Sequence, residues 1–309
     1  MKRLLCVALV FFAVDAKSQT VLDDVYVREH IPTKAKIASP YVVERDVMWQ
    51  KRVWRVIDLR EKMNFPLHYP LKPNGNVMSL FDVLKHYMLS GEITVYAPLN
   101  LLAADLNEAD FGADQFMFPL NQTSMNYLNE VKGLMMSHVN ESTTPYQVYD
   151  PETGMTVDSV DFNQKLVYAA NDTVWIETKD VIAWEIKEDW FFDKTRSVMD
   201  VRILGVAPVV YTIDPNTNAV LGTRTLFWLY FPEIQYVLQN HFVFNRMNDA
   251  QRMSFNDLFV KRMFSSYIKK ESNIYDRKIT DYVAGVDALL EAERVKNDIS
   301  QMEHDVWDI

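Results

Sequence analysis

Residues 46–70 read DVMWQKRVWRVIDLREKMNFPLHYP. How this stretch folds decides how the rest of the chain is arranged. Asp46 is a residue that can cap a helix, and the spacing that follows predicts a helix over 46–63. On a helical wheel Trp49, Val53, Val56, Ile57 and Met63 share one face, with Val47, Trp54 and Asp58 opposite. A helix with tryptophan on both sides is buried between layers or pressed by a partner. Arg60 falls in the apolar face and Arg52 at its edge. An arginine there must find a carboxylate or carbonyl, or extend out to water. The expectation is that Arg60 ties the helix to an acid elsewhere in the chain. Contact with a partner is the alternative, because tryptophan and arginine dominate binding hot spots. Arg52, Trp54 and Arg55 are the candidate contact residues here.

Working outward, Phe65-Pro66 and Tyr69-Pro70 stop that helix and force an extended segment. Ser79 with Asp82 forms a capping signature that opens a second helix through Ser90, ended by Gly91. A short strand follows at 93–96. Residues 98–145 read mostly as loop, with a helix over 125–137. From Tyr146 the period changes. YQVYD, a PETG turn at 151–154 and MTVDSVDF read as a hairpin. Further strands are expected at 173–178, 181–187, 198–206 and 209–213, with a DPNTN turn at 214–218. The stretch 220–231 is apolar on both of its alternating faces, which predicts a central strand covered on both sides. Helices return at 232–239, at 254–270 (capped by Ser254 with Asp257) and at 281–307. The last carries a narrow apolar stripe of Val283, Val286, Leu289, Leu290 and Val295 amid charge. Leu289, Val295 and the terminal Trp307 are therefore candidate contacts with a partner. Helices, then an antiparallel sheet, then helices define an α+β fold, mainly an antiparallel sheet flanked by N-terminal and C-terminal helices.

The chain as a whole bounds its chemistry. Its 309 residues and 49% hydrophobic content suffice for a buried core. A net charge of −10 repels phosphate backbones and argues against nucleic acid as a partner. Lys2 and Arg3 precede an eleven-residue apolar run and small residues at Ala16 and Ser18. This predicts a secretory signal peptide over 1–18, followed by an extended arm over 19–45 and one α+β domain over 46–309. The single cysteine, Cys6, lies inside the apolar run. It is a poor site for lipid attachment, and it leaves with the signal peptide. Thiolate metal sites and a cysteine nucleophile are thereby excluded from the mature chain.

The expected catalytic motifs are missing. The six histidines are not spaced as ligand pairs, and neither GxGxxG, GxSxG nor a Walker loop occurs. With 8 glycines in all, phosphate cradles are hard to build. No cofactor or metal is expected. The acids of KEDWFFD (Glu188, Asp189 and Asp193) are the one constellation worth weighing. Paired carboxylates beside aromatics suit a hydrolase acting on cell-wall glycan. Lys187 and Lys194 flank them, however, and a polar loop between strands explains the pattern better.

Several long phrases resemble the GldN/PorN gliding-motility family: YVREHIPTKAKI (26–37), the opening stretch at 46–70, IKEDWFFDKTRSVMDVRILGVAPV (186–209), FWLYFPE (227–233), VFNRMNDAQRMSFNDLFVKRMFSSYIKKESNIYDRKI (243–279) and EHDVW (303–307). The resemblance spans nearly all of the chain after the signal peptide and is weakest over 98–145. It implies a non-catalytic periplasmic subunit of the type IX secretion system. In that family the protein forms a ring with an outer-membrane lipoprotein, GldK/PorK, and meets the shaft protein GldM/PorM. Membrane contact would come only through the lipoprotein. The resemblance brings no catalytic residues with it.

Overall fold

The structure, a computed structural model, describes residues 39–74, 77–98, 118–140, 147–150, 155–158, 172–214, 219–244 and 253–307. The expected signal peptide, the arm as far as residue 38, and the turns at 151–154 and 215–218 lie outside the described residues, as does the Trp307 side chain.

The opening stretch is a strand, not a helix. Strand β1 (Val47–Asp58) pairs antiparallel with a later strand from Val47↔Asp193 to Asp58↔Ala183. Val53 to Ile57 are buried without a break, so both faces of β1 are covered and the apolar residues do not alternate. After it, Phe65–His68 forms a one-turn helix, α1, with Pro66 in the first turn. The segment expected to be extended is helical there because proline is compatible with a helix start. Helix α2 (Leu80–Ser90) follows. Ser79 Oγ accepts the Asp82 N–H at 3.1 Å, and Gly91 ends the helix at φ 75°. Its Leu80, Phe81, Leu84 and Met88 fill the core.

Next come β2 (Val95–Ala97), β3 (Phe118–Pro119), helix α3 (Tyr127–Leu134) and β4 (Met136–Asn140). The expected hairpin forms as β5 (Gln147–Asp150) and β6 (Met155–Asp158), in register from Gln147↔Asp158 to Asp150↔Met155. β7 (Asp172–Trp175) pairs with β4. β8 (Val181–Asp193) is a single strand of 13 residues, so EDWFFD is strand interior rather than a polar loop. It is sandwiched between β1 and β9, and its acids meet cations from neighbouring segments. β9 (Val198–Ile213) fuses the two strands expected at 198–206 and 209–213. Pro208 lies inside it and accepts the Leu226 N–H at 3.0 Å.

The stretch expected to be one central strand over 220–231 is divided. β10 (Val220–Thr225) hangs on the side of β9 with Val220 and Leu221 exposed. The chain then steps inward, and β11 (Trp228–Tyr230) pairs with β9 and β2. Only 225–229 is buried continuously. Phe231 opens helix α4 (Phe231–Asn240). A small ladder of β12 (Phe242–Val243) and β13 (Met253–Ser254) leads into helix α5 (Phe255–Val260). Ser254 and Asp257 cap it reciprocally at 3.0 and 3.2 Å. The helix expected to reach residue 270 stops here, because Arg262 takes a left-handed backbone at φ 53°. β14 (Tyr267–Glu271) then joins β1, and helix α6 (Val286–Trp307) closes the described chain.

The result is mixed α/β and mainly antiparallel. Its eight-stranded sheet runs β14-β1-β8-β9-β11-β2-β3, with β10 also on β9. The main core gathers Ile57, Trp184, Ile186, Val206 and Leu229 of the sheet with α2, α4 and α5. A second cluster joins Val53 and Ile268 to Ala292, Val295 and Ile299 of α6.

Candidate functional site

The acids singled out in the sequence lie along β8, and each has an arginine. Glu188 has no exposed surface. Arg262 donates to it twice, at 2.9 and 3.2 Å, and the Trp190 indole donates at 3.1 Å. The Arg262 guanidinium lies 5.2 Å from the Trp190 ring and 5.4 Å from Phe264. The left-handed backbone at residue 262 thus aims this side chain inward. Asp189 receives a fork from Arg52 at 2.6 and 2.7 Å and a third bond from Gln50 at 3.0 Å. This bonding holds Arg52 above its ordinary pKa. Asp193 accepts from Arg196 at 2.7 Å and from the Thr195 N–H at 2.9 Å. The Arg196 bond keeps its carboxyl below the usual carboxylate range. A general acid or nucleophile needs an available carboxylate. These three are engaged as strand fasteners.

The other named residues divide by burial. Trp54 is buried with Trp228 and Ala207, and the ammonium groups of Lys270 and Lys187 lie 4.8 and 5.2 Å from its ring. Arg55 is buried beside Glu188 and donates to Ser266 Oγ at 3.0 Å; burial lowers its pKa, partly offset by Glu188. Val295 is fully buried in the second cluster. Arg52 and Leu289 remain accessible, Leu289 being 57% exposed beside Leu290 and Val286. Arg60 does not reach across the chain. It forks locally onto Asp58 at 3.0 and 2.6 Å and stays exposed. Arg262 and Arg196, which the sequence reading does not single out, complete the arrangement. Arg262 is 74 residues from its acid, and only the fold shows the pairing.

An open feature adjoins these pairs. A groove of about 790 Å³ lies beside Tyr41, Met48, Gln50, Phe191, Arg202 and Leu204. Arg202 ties the crossing segment down by donating to the Pro40 carbonyl at 2.9 Å. Two acids line this groove, Glu44 and Asp189, and Asp189 is already held by Arg52 and Gln50. Among the described residues no group of three His, Cys, Asp or Glu is placed to hold a metal, and no helix is long and apolar enough to cross a membrane.

Fold and site together define a mixed α/β protein on a long-stranded antiparallel sheet, with its central acids locked in arginine pairs. The chain belongs to the family of the gliding motility associated protein GldN, whose family model matches residues 42–308. That makes it a component of the gliding-motility and type IX secretion apparatus. No curated protein matches it significantly.

Proposed function

We propose that this chain is a non-catalytic periplasmic structural subunit of the type IX secretion system, forming a ring with an outer-membrane lipoprotein of the GldK/PorK kind and supporting gliding. The observation that carries the reading is the pairing of Glu188, Asp189 and Asp193 with Arg262, Arg52 and Arg196. Acids arranged in this way stiffen a sheet, while apolar side chains such as Met48, Val198, Leu289 and Leu290 stay on the outside. The signal peptide expected over 1–18 delivers the chain to the periplasm, and attachment to the outer membrane comes through the lipoprotein. Contact with the shaft protein GldM/PorM belongs to the same reading.

The test is purification of the tagged chain from native envelopes. The lipoprotein should co-purify, and N-terminal sequencing should begin near Gln19. A chain that returns Met1, or that emerges alone from gently solubilised envelopes, defeats the proposal. A glycan-cleaving rate abolished by Glu188→Gln with Asp189→Asn, in a protein that still folds, would establish a hydrolase instead.

A further inference from the structure

Residues 60–72, REKMNFPLHYPLK, leave β1 as a loop that turns apolar side chains to the outside. Two residues pin it from within. Asn64 has no exposed surface. Its Nδ2 donates to the Asp58 carbonyl at 2.7 Å and the Ser265 carbonyl at 3.0 Å, and its Oδ1 accepts the Ser265 N–H at 2.9 Å. Leu67 is buried in the main core. Around these anchors Met63, Phe65, Tyr69 and Leu71 are all exposed, Met63 by 58%. The Phe65 and Tyr69 rings meet edge-on at 5.5 Å. Pro66 and Pro70 fix the backbone between them. The Asn64–Ser265 bonds draw the 263–267 turn alongside, and it adds exposed Met263 and Tyr267.

Single apolar side chains on a surface are ordinary, but a cluster with a polar rim marks a docking surface. The rim here is cationic. The loop carries Arg60, Lys62 and Lys72 against Glu61, and Lys261 stands two residues before Met263. Asp58 is occupied by the Arg60 fork, and Glu177, whose charge Lys72 feels, is held by Lys179 at 2.9 Å. On a chain of net charge −10 this is a local reversal of sign. Exposed charges are screened beyond about 8 Å at physiological ionic strength, so a ligand meets this rim and not the distant acids. Lysine is depleted from protein interfaces, and the tryptophan of a protein hot spot is missing from the loop. Tyrosine, phenylalanine and leucine beside lysine are instead the residues of a bilayer interface. Their apolar bodies enter the headgroup layer while the ammonium groups reach phosphate.

We propose that the 60–72 loop, with Met263 and Tyr267, is a direct contact with an anionic phospholipid surface. Met63, Phe65, Tyr69 and Leu71 enter the headgroup layer, and Lys62, Lys72 and Lys261 meet the phosphates. The contact is shallow and reversible. It adds to the attachment through the lipoprotein and amends the expectation that membrane contact comes only that way. Stable anchoring takes two signals. The lipoprotein's lipid is one and this surface is the other, and in that pairing alone the inference rests on the ring-subunit reading. The loop stands at the far end of β1 from the groove beside Met48 and Gln50, so a bilayer held here leaves that end of the sheet clear for protein partners.

Vesicle flotation tests it, with the tagged chain taken from native envelopes and separated from the lipoprotein. Vesicles of phosphatidylethanolamine with phosphatidylglycerol should carry the chain up the gradient at low salt and release it at high salt. Vesicles of phosphatidylcholine should leave it behind. Lys72→Gln with Lys261→Gln should weaken binding by about 25-fold, roughly fivefold for each cation. Met63→Ser with Leu71→Ser should weaken it by about tenfold. Both variants should keep the native melting temperature, and Leu289→Ser with Leu290→Ser should float as the native chain does. Equal binding to phosphatidylcholine, or full binding by either loop variant, overturns the proposal. Loop variants that keep the vesicles but lose the lipoprotein would make the loop a protein interface and overturn it as well. A native chain that stays unfloated while the lipoprotein still co-purifies from envelopes overturns the lipid contact and leaves the ring-subunit reading standing. Flotation as expected without the lipoprotein in native envelopes supports the lipid contact and is the separate failure of that reading.

Discussion

Glu188 is wholly enclosed, and a carboxylate without water depends on its partners. Arg262 is the main one, and it reaches Glu188 from a left-handed backbone. Removing one partner of a buried pair costs roughly 3–5 kcal/mol, because the other charge is stranded. Arg262 keeps some exposure, so Arg262→Ala should fall at the lower end, about 3 kcal/mol. Arg262→Gly should cost about 1 kcal/mol less, since glycine adopts φ 53° without the clash that alanine suffers. Urea unfolding of the two variants decides this. Equal losses would mean that the backbone at 262 is not strained, and a loss under about 1 kcal/mol for both would mean that Glu188 finds another partner. Trp228 makes a second test at this scale. It is fully buried against Trp54 and Ala207 and pairs across the ladder with Tyr96. Trp228→Ala should cost roughly 3–5 kcal/mol, as for other emptied aromatic sites. A shift below about 1 kcal/mol would show that the sheet closes over the space.

Among the elements, α6 has two apolar sides. Ala292, Val295 and Ile299 face β14 and β1, while Val286, Leu289 and Leu290 point away by roughly 140° on average at the 3.6-residue period. The inner side belongs to this chain. Val295→Ser should lower stability by about 2 kcal/mol, the scale for a fully buried valine. Leu289→Ser with Leu290→Ser should change it by less than about 0.5 kcal/mol, as for surface sites, and yet weaken recovery of the lipoprotein from envelopes. If the double variant is as unstable as Val295→Ser, the outer side packs on this chain. If it recovers the lipoprotein in full, Leu289 is not a docking residue. How far such elements can be read from sequence depends on how local their cause is. The starts of α2 and α5 are legible because Ser79 with Asp82, and Ser254 with Asp257, cap within three residues. β1 is not, for a physical reason. Trp49, Val53, Val56 and Ile57 recur at helical spacing, and a strand covered on both faces has no alternation to contradict them. The enrichment in Val, Ile and Trp over 53–57 was the signal that favoured a strand. At the candidate site the acids are legible, but their roles are set by arginines up to 137 residues away.

At the scale of the whole molecule, several shifted groups push stability in the same direction with pH. The bond from Arg60 holds Asp58 below the usual carboxylate range, and bonds from Arg196 and Arg294 do the same for Asp193 and Glu291. A carboxyl depressed in the folded state stabilises it above its unfolded pKa, near 4, and that contribution is lost as pH falls through the folded value. His68 acts earlier. Its Nδ1 is buried without a partner among the described residues, its ring stands edge-on to Tyr69 at 5.0 Å, and burial lowers its pKa from 6.5. The unfolded chain therefore takes up that proton first. Stability from His68 is complete above pH 6.5 and declines as pH falls from there toward the folded value. Urea midpoints measured across pH should thus fall in two stages, one beginning near 6.5 and one below about 4. His68→Phe keeps an aromatic edge for Tyr69 but cannot titrate. It should flatten the first stage and leave the second intact. The carboxylate stage should shrink in Arg196→Gln, which removes the bond to Asp193 without touching His68. An unchanged first stage in His68→Phe would show that another group carries it, and a second stage insensitive to Arg196→Gln would show that Asp193 contributes nothing to acid stability.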